Sequence, residues 1–392
     1  MTPNSNALHT QDDMWHNEDP RYDRAAGAWL GAAWAACLVG AEPPVITELA
    51  HPAGHSGGAA LLSQLIDTAL RDVRTPGTIA ASAPAAGERA WAQALRDTIA
   101  TGTVPARDAA VPESSPLATA WQAVLGTPIP RLDPARRVFP CSHLAEAAHS
   151  AHAAGGDEAA MYAGALAGAR WGASAVPLQA HRRLADIVDP GPILRRAVVL
   201  ARGSAPSIWP EQEHHYEDRT DPSIARPFRA QHPHDHGLTL ANLSHMRADQ
   251  HTEAVVSLCR IGTADTPARV PPRDRVEVWL IDTDGANPNL HFVIDEAARM
   301  VAALRGEGKR VLLHCAAGQS RTPAVAAHYA ALACGTDAVQ ALRTIIPALG
   351  GHLDTPELSR TVAALNGVGL ADPARELFPQ GVPPRRHQAT RG

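Results

Sequence analysis

The stretch RVLLHCAAGQSRT, residues 310–322, decides the reading of this chain. A short apolar run, Val311-Leu312-Leu313, has the form of a buried strand ending at His314, and from Arg321 onward the text PAVAAHYAALAC is helical, with Pro323 in the first turn. Only the six residues 315–320 lie between them. A strand, a tight loop and a helix start aim several backbone N–H groups at one point, where the helix dipole adds a positive field. Such a loop is a cradle for a phosphate dianion. Within it Cys315 is the expected nucleophile, which would attack phosphorus, and Arg321 would offer a planar fork to two phosphoryl oxygens. Ala316, Ala317, Gly318, Gln319 and Ser320 supply phosphate-binding loop positions beside Arg321, and Gly318 lets the backbone turn. Thr322 places a hydroxyl where it can donate to the cysteine sulfur, and His314 supports the loop from behind.

Working outward, AVVSLC (254–259), VEVWLI (276–281) and RVLLHC (310–315) are short β-rich runs that alternate with helical text at 290–305 and 321–334. This alternation predicts an α/β domain with a parallel sheet. A leaving alkoxide needs a proton, and VWLIDTDGANPNL (278–290) offers Asp282 and Asp284 as donors. The pattern His314-Cys315, five residues, Arg321-Thr322 resembles the signature of the cysteine-dependent protein tyrosine phosphatases, most of all their dual-specificity branch. It is not the nucleotide-binding glycine-rich loop, whose Gly-Lys-Ser/Thr ending is missing. The resemblance extends through LTLANLSHMRADQHTEAVVSLC (238–259) and covers residues 226–370. It implies a phosphocysteine intermediate, no metal or other cofactor, and a general acid on an upstream loop that is followed by an Asn-Leu pair. Asp284 stands 31 residues before Cys315 and 5 before Asn289-Leu290, so the resemblance implies Asp284 as the acid and Asn289 as its support, with Asp282 as the alternative. Phosphoinositide phosphatases of this superfamily carry lysines in the loop. None is present here, so the expected substrate is singly phosphorylated: a phosphotyrosine or phosphoserine/threonine protein, or a small phosphate ester.

The first half has a different grammar. Segments 25–41, 58–74, 85–99, 117–124, 142–153, 157–171 and 191–202 show helical spacing of Ala, Leu, Ile and Val, separated by Pro and Gly clusters. An all-α domain over 21–203 is expected. DRAAGAWLGAAWAACLVGAEP (23–43) and GGDEAAMYAGALAGARWGASAVP (155–177) resemble the first and a late helix of the ADP-ribosylglycohydrolase family. That resemblance implies an ADP-ribose or nucleotide ligand. The positions of the family's two acidic metal motifs fall on His55-Ser56-Gly57-Gly58 and on Gly155-Gly156-Asp157, which leaves only Asp157 and Glu158. Magnesium requires more oxygen ligands than these, so a binding or scaffolding role without metal is expected.

Composition bounds the remainder. A chain of 392 residues suggests two domains, and a formal charge of −5 gives no basic field for nucleic acid or an anionic membrane. Five scattered cysteines suit a reducing cytoplasm, with Cys259 and Cys334 expected as small core residues. The uncharged stretch 25–41 consists mostly of Ala and Gly and is expected to be a packed helix rather than a membrane span, its glycines allowing close approach of neighbours. Residues 1–20 read as a flexible leader, 204–225 as a linker and 371–392 as a tail; the histidines at 214, 215, 232, 234 and 236 are expected to be solvated rather than metal-bound.

The sequence therefore predicts two domains, an N-terminal all-α ADP-ribosylglycohydrolase-like domain and a C-terminal α/β domain of dual-specificity phosphatase fold. The expected activity is phosphoric monoester hydrolysis. The alternatives are a non-catalytic protein that binds phosphate and ADP-ribose, and an ADP-ribosyl hydrolase with an accessory phosphatase domain.

Overall fold

The computed structural model describes residues 19–82, 85–202, 226–261 and 265–386. Its N-terminal region is helical. Helix α1 (Pro20–Val39) starts where the Asp19 carboxylate accepts from the Arg21 amide, with Pro20 at the first position, and stops at Gly40 in the left-handed conformation (φ 80°). It packs along α7 (His143–Trp171), with Gly27 and Gly31 facing Gly164 and Gly168. A Cβ at any of these four positions would overlap a backbone carbonyl of the facing helix, so only hydrogen fits. The alanine-rich stretch at 25–41 is thus spent on a close helix–helix seam. Among the described residues no helix is long and apolar enough to cross a membrane.

Around this pair lie α2 (Pro43–Ala50), α3 (Gly58–Asp72), α4 (Thr78–Ser82), α5 (Ala86–Thr101), α6 (Pro116–Gly126), α8 (Leu178–Ala185) and α9 (Pro190–Arg202). Trp91 of α5 meets the Tyr162 ring of α7 edge-on at 5.0 Å, and Trp29 of α1 is fully buried. The two helices expected at 142–153 and 157–171 form one continuous run, bent at Gly156, whose φ of 75° supplies the kink.

The C-terminal region is a mixed sheet with helices. Strands β1 (Arg229–His232), β2 (Asp235–Asn242), β3 (Ala254–Ser257), β4 (Arg275–Glu277) and β5 (Val311–Cys315) lie in the order β1-β2-β5-β3-β4. β1 runs antiparallel to β2, and the other neighbours are parallel. Every residue of β5 is buried, as a central parallel strand requires. The helices are α10 (Leu243–Ala248), α11 (Leu290–Gly306), α12 (Arg321–Cys334), α13 (Ala338–Ala348), α14 (Pro356–Leu365) and α15 (Pro373–Leu377).

Three expectations need correction. The supposedly solvated His232 is fully buried at the β1–β2 hairpin, with Nε2 against the Ala326 carbonyl and its ring 5.3 Å from that of Tyr329. Residues 204–225 and His214-His215 lie outside the described residues. Residues 371–386 are packed rather than a tail: Leu377 is buried, and Arg386 donates to the carbonyls of Leu349 and Ala317. Cys334 is exposed, because it ends α12 just before the left-handed Gly335; Cys259 is buried as expected.

The two regions share one continuous buried apolar cluster. Their seam is also polar. Arg182 of α8 donates to Asp274 (3.1 Å) and Glu307 (2.5 Å), and Lys309 completes the cluster at 2.5 Å from Asp274. Arg260 lies over the rings of Tyr22 (5.6 Å) and Trp279 (4.6 Å), one from each region.

Candidate active site

The phosphate-loop candidate lies at the C-terminal end of β5, between the ends of β2 and β3. In a parallel sheet this is where a strand inserted between two earlier ones opens a crevice. The turn depends on Gly318, whose φ is 74° and where a Cβ would come within 2.8 Å of the Ala241 carbonyl oxygen. This turn brings the Gly318 amide round to donate to Cys315 Sγ at 3.3 Å. The chain then enters α12 at Arg321, so the positive end of a 14-residue helix faces the loop.

Each loop residue is held by a different neighbour. The Ala316 carbonyl accepts from the Leu243 amide (3.0 Å), and the Ala317 carbonyl accepts from Arg386 Nη2 (2.9 Å). Gln319 Nε2 donates to the Gly350 carbonyl at 2.9 Å, and Ser320 Oγ donates to Asp282 Oδ1 at 2.6 Å. Behind the loop, His314 Nδ1 lies 3.3 Å from the Cys315 carbonyl and Nε2 lies 2.7 Å from Ser257 Oγ. A carbonyl can only accept, so Nδ1 carries the proton and Nε2 accepts from the serine hydroxyl. Burial pushes the imidazole down to about 4, which keeps it neutral.

Arg321 is buried, and its Nη1 donates to the carbonyls of Leu258 (3.1 Å) and Leu280 (2.8 Å). These bonds fix the guanidinium plane from the β3 and β4 sides. Its Nε lies 3.4 Å from Asp282 Oδ2. Thr322 Oγ1 is buried and has no hydrogen-bond partner among the described residues, so the expected bond to the Cys315 sulfur is not formed.

The two acid candidates part company. Asp282 sits on the loop, taking hydrogen bonds from Ser320 and from Thr355 Oγ1 (2.8 Å) beside its ion pair with Arg321. Asp284 is exposed and faces α14: its Oδ1 accepts from the Glu357 amide (3.1 Å), and the Glu357 carboxylate accepts from the Gly285 amide (2.7 Å). Asn287 closes the turn by bonding both the amide and the carbonyl of Ile281, at 2.7 and 2.8 Å. Asn289 is buried and reaches into the other region, donating to the Trp171 carbonyl (2.6 Å) and to Ser174 Oγ (2.9 Å). Ser174 in turn bonds Asp23 through its amide (2.9 Å) and hydroxyl (2.5 Å).

Sequence reasoning missed Ser257, Thr355, Glu357 and Arg386 as parts of the site. None carries a local pattern; each acts through a contact made only after folding. In the helical region Asp157 accepts from or pairs with His152 at 3.0 Å on the surface, and the Glu158 carboxylate lies against Gly58. Among the described residues no group of three or more His, Cys, Asp or Glu is arranged to hold a metal ion.

No family model, curated protein or solved structure matches the chain.

Proposed function

We propose that this chain is a cysteine-dependent phosphatase of the dual-specificity type that hydrolyses a phosphate monoester, on a protein or a small molecule, with an ADP-ribosylglycohydrolase-like helical domain as its N-terminal half. The observation that supports the activity most is the pairing of Cys315 and Arg321 across one short loop, with the Gly318 amide aimed at the sulfur and the Arg321 plane fixed by two carbonyls. The thiolate of Cys315 attacks phosphorus, the P–O bond to the leaving group breaks, and a phosphocysteine forms. Loop amides and Arg321 take up the charge on the phosphoryl oxygens. An aspartic acid protonates the leaving oxygen and, as its carboxylate, then activates the water that cleaves the S–P bond. Thr322, whose buried hydroxyl has no partner among the described residues, keeps the role of donor to the sulfur as the thiolate is released.

Spacing favours Asp284 as the acid. The contacts of Asp282 with Ser320 and Arg321 favour a second assignment, in which Asp282 occupies the cradle until phosphate displaces it and then serves as the acid itself. Hydrolysis of an aryl phosphate by the intact chain in chelator, beside Cys315→Ser, Asp282→Asn and Asp284→Asn, tests both. Wild type should turn over and the serine variant should be inactive. The asparagine variant of the true acid should be slowed by about 100-fold or more. A folded but inactive wild type would favour the phosphate-binding alternative.

A further inference from the structure

Between the helical region and the sheet lies a cleft that the phosphate loop does not use. It consists of two adjoining hollows, which share His181, Gly191, Leu194, Arg195 and Glu277 as a common wall. The first hollow is mainly apolar, with Val176, Leu178, Trp279 and Phe292 around it. The second is more polar, with Arg182, Asp189, Arg273 and Arg275.

Most of these charges are already occupied. Arg182 is bound to Glu307 and Asp274, Arg273 pairs with Asp186 at 3.2 Å, and Arg275 donates to the carbonyls of Val270 and Ala268. Among the acids, Glu296 accepts from the Leu178 amide, Asp189 from the Gly191 amide and Glu277 from the Ile261 amide. Two groups on the common wall remain. Arg195, half-buried, makes no hydrogen bond or ion pair among the described residues, and the absence of a side chain at Gly191 leaves room for its guanidinium, since a Cβ there would lie 3.0 Å from Nη2. His181 Nε2 is buried without a hydrogen-bond partner among the described residues, and desolvation holds the ring neutral.

An anion entering the cleft would meet the guanidinium of Arg195, with the imidazole of His181 on the same wall. Trp279 and Phe292 offer aromatic surface in the first hollow. We propose that this cleft binds a small carboxylate with an aromatic or apolar body, the carboxylate forked by Arg195 beside His181, and the body laid against Trp279 and Phe292. A single negative charge suits Arg195, flanked by Glu277 and Asp189, better than a phosphate dianion does. This site is independent of the phosphatase reading.

Calorimetric titration of the full chain with 2-naphthoate and with neutral 2-naphthamide tests the proposal. Naphthoate should bind once per chain, and the amide about tenfold more weakly or worse. Arg195→Gln should abolish that preference, while Arg195→Lys keeps the charge without the fork and should retain only part of it; Phe292→Ala should weaken both ligands. Thermal unfolding of each variant checks that it is folded. Orthovanadate, which targets the cysteine loop, should leave naphthoate binding unchanged. Absence of saturable binding, equal affinity for acid and amide, an unchanged preference in Arg195→Gln, or displacement by vanadate would each overturn the assignment.

Discussion

Asp23 gives the sharpest test of the packing. Its carboxylate lies between α1 and the 173–175 turn, takes both bonds of Ser174 and is only 8% exposed. Desolvation raises its pKa to about 6, against the opposing pull of the Ser174 bonds, Arg260 and Arg24. In the unfolded chain the group titrates near about 4, so between these values the folded state binds more protons than the unfolded one. The contribution of Asp23 to stability is therefore greatest below about pH 4, falls as the pH rises to about 6, and is level above that. A gap of about two pH units corresponds to about 3 kcal/mol. Asp23→Asn keeps an oxygen for the Ser174 amide and removes the titration. Urea unfolding of the two proteins across this range should show the variant gaining on wild type by roughly 3 kcal/mol between pH 4 and pH 6.5. Asp235 and Glu307, both held down to about 2, act in the opposite sense at lower pH and cancel in the difference. Parallel profiles would show that Asp23 titrates alike in both states and would refute the reasoning.

Other outcomes follow from contacts already described. Arg182→Met should lower stability by about 3 kcal/mol or more, measured by denaturant unfolding, because it leaves the buried Asp274 with Lys309 as its remaining charged partner. Gly31→Ala should cost about 2 kcal/mol or more in the same assay, since the added methyl meets the Gly164 carbonyl. Ser174→Ala removes one acceptor of Asn289 and a donor to Asp23; if the acid loop is held from the helical region, aryl phosphate turnover should fall at least threefold by the loss of about one hydrogen bond, with KM little changed. Arg386→Ala frees the Ala317 carbonyl and should lower kcat; unchanged kinetics would show that this contact does not position the loop for turnover.

Much of the fold was legible because its signals are local. The expected helices at 58–74, 85–99 and 191–202 appear as α3, α5 and α9, and RVLLHC appears as β5, since apolar periodicity and Gly/Pro punctuation act within a few residues. The β1–β2 hairpin was not legible: RAQHPHDH has no alternating apolar face, and His232 is buried only because Tyr329 and the Ala326 carbonyl receive it. Helix α8 was missed for a related reason, as its Arg182 looks solvent-facing until Asp274 and Glu307 surround it. At the candidate site, the turn around Gly318 followed from a local pattern, and the loop between Cys315 and Arg321 formed where expected. The separate placement of Asp282 and Asp284 did not, because it depends on Thr355 and Glu357, more than 70 residues along the chain. The anchoring of Asn289 to Trp171 and Ser174 was equally invisible, being a contact between two regions of unlike grammar.

The glycine seam between α1 and α7 has a consequence for how this sequence can drift. Gly27, Gly31, Gly164 and Gly168 each oppose a carbonyl, so the two helices are gauged against one another by hydrogen atoms alone. Every amino-acid replacement reachable by a single-base change in a glycine codon carries a Cβ. At these four codons only silent third-base changes leave the contact intact, and compensation would require both helices to separate along their length. The end of α7, which presents the Trp171 carbonyl to Asn289, inherits its position from that contact. Variation among descendants of this gene should therefore accumulate on the outer faces of the helical region and pass over the seam.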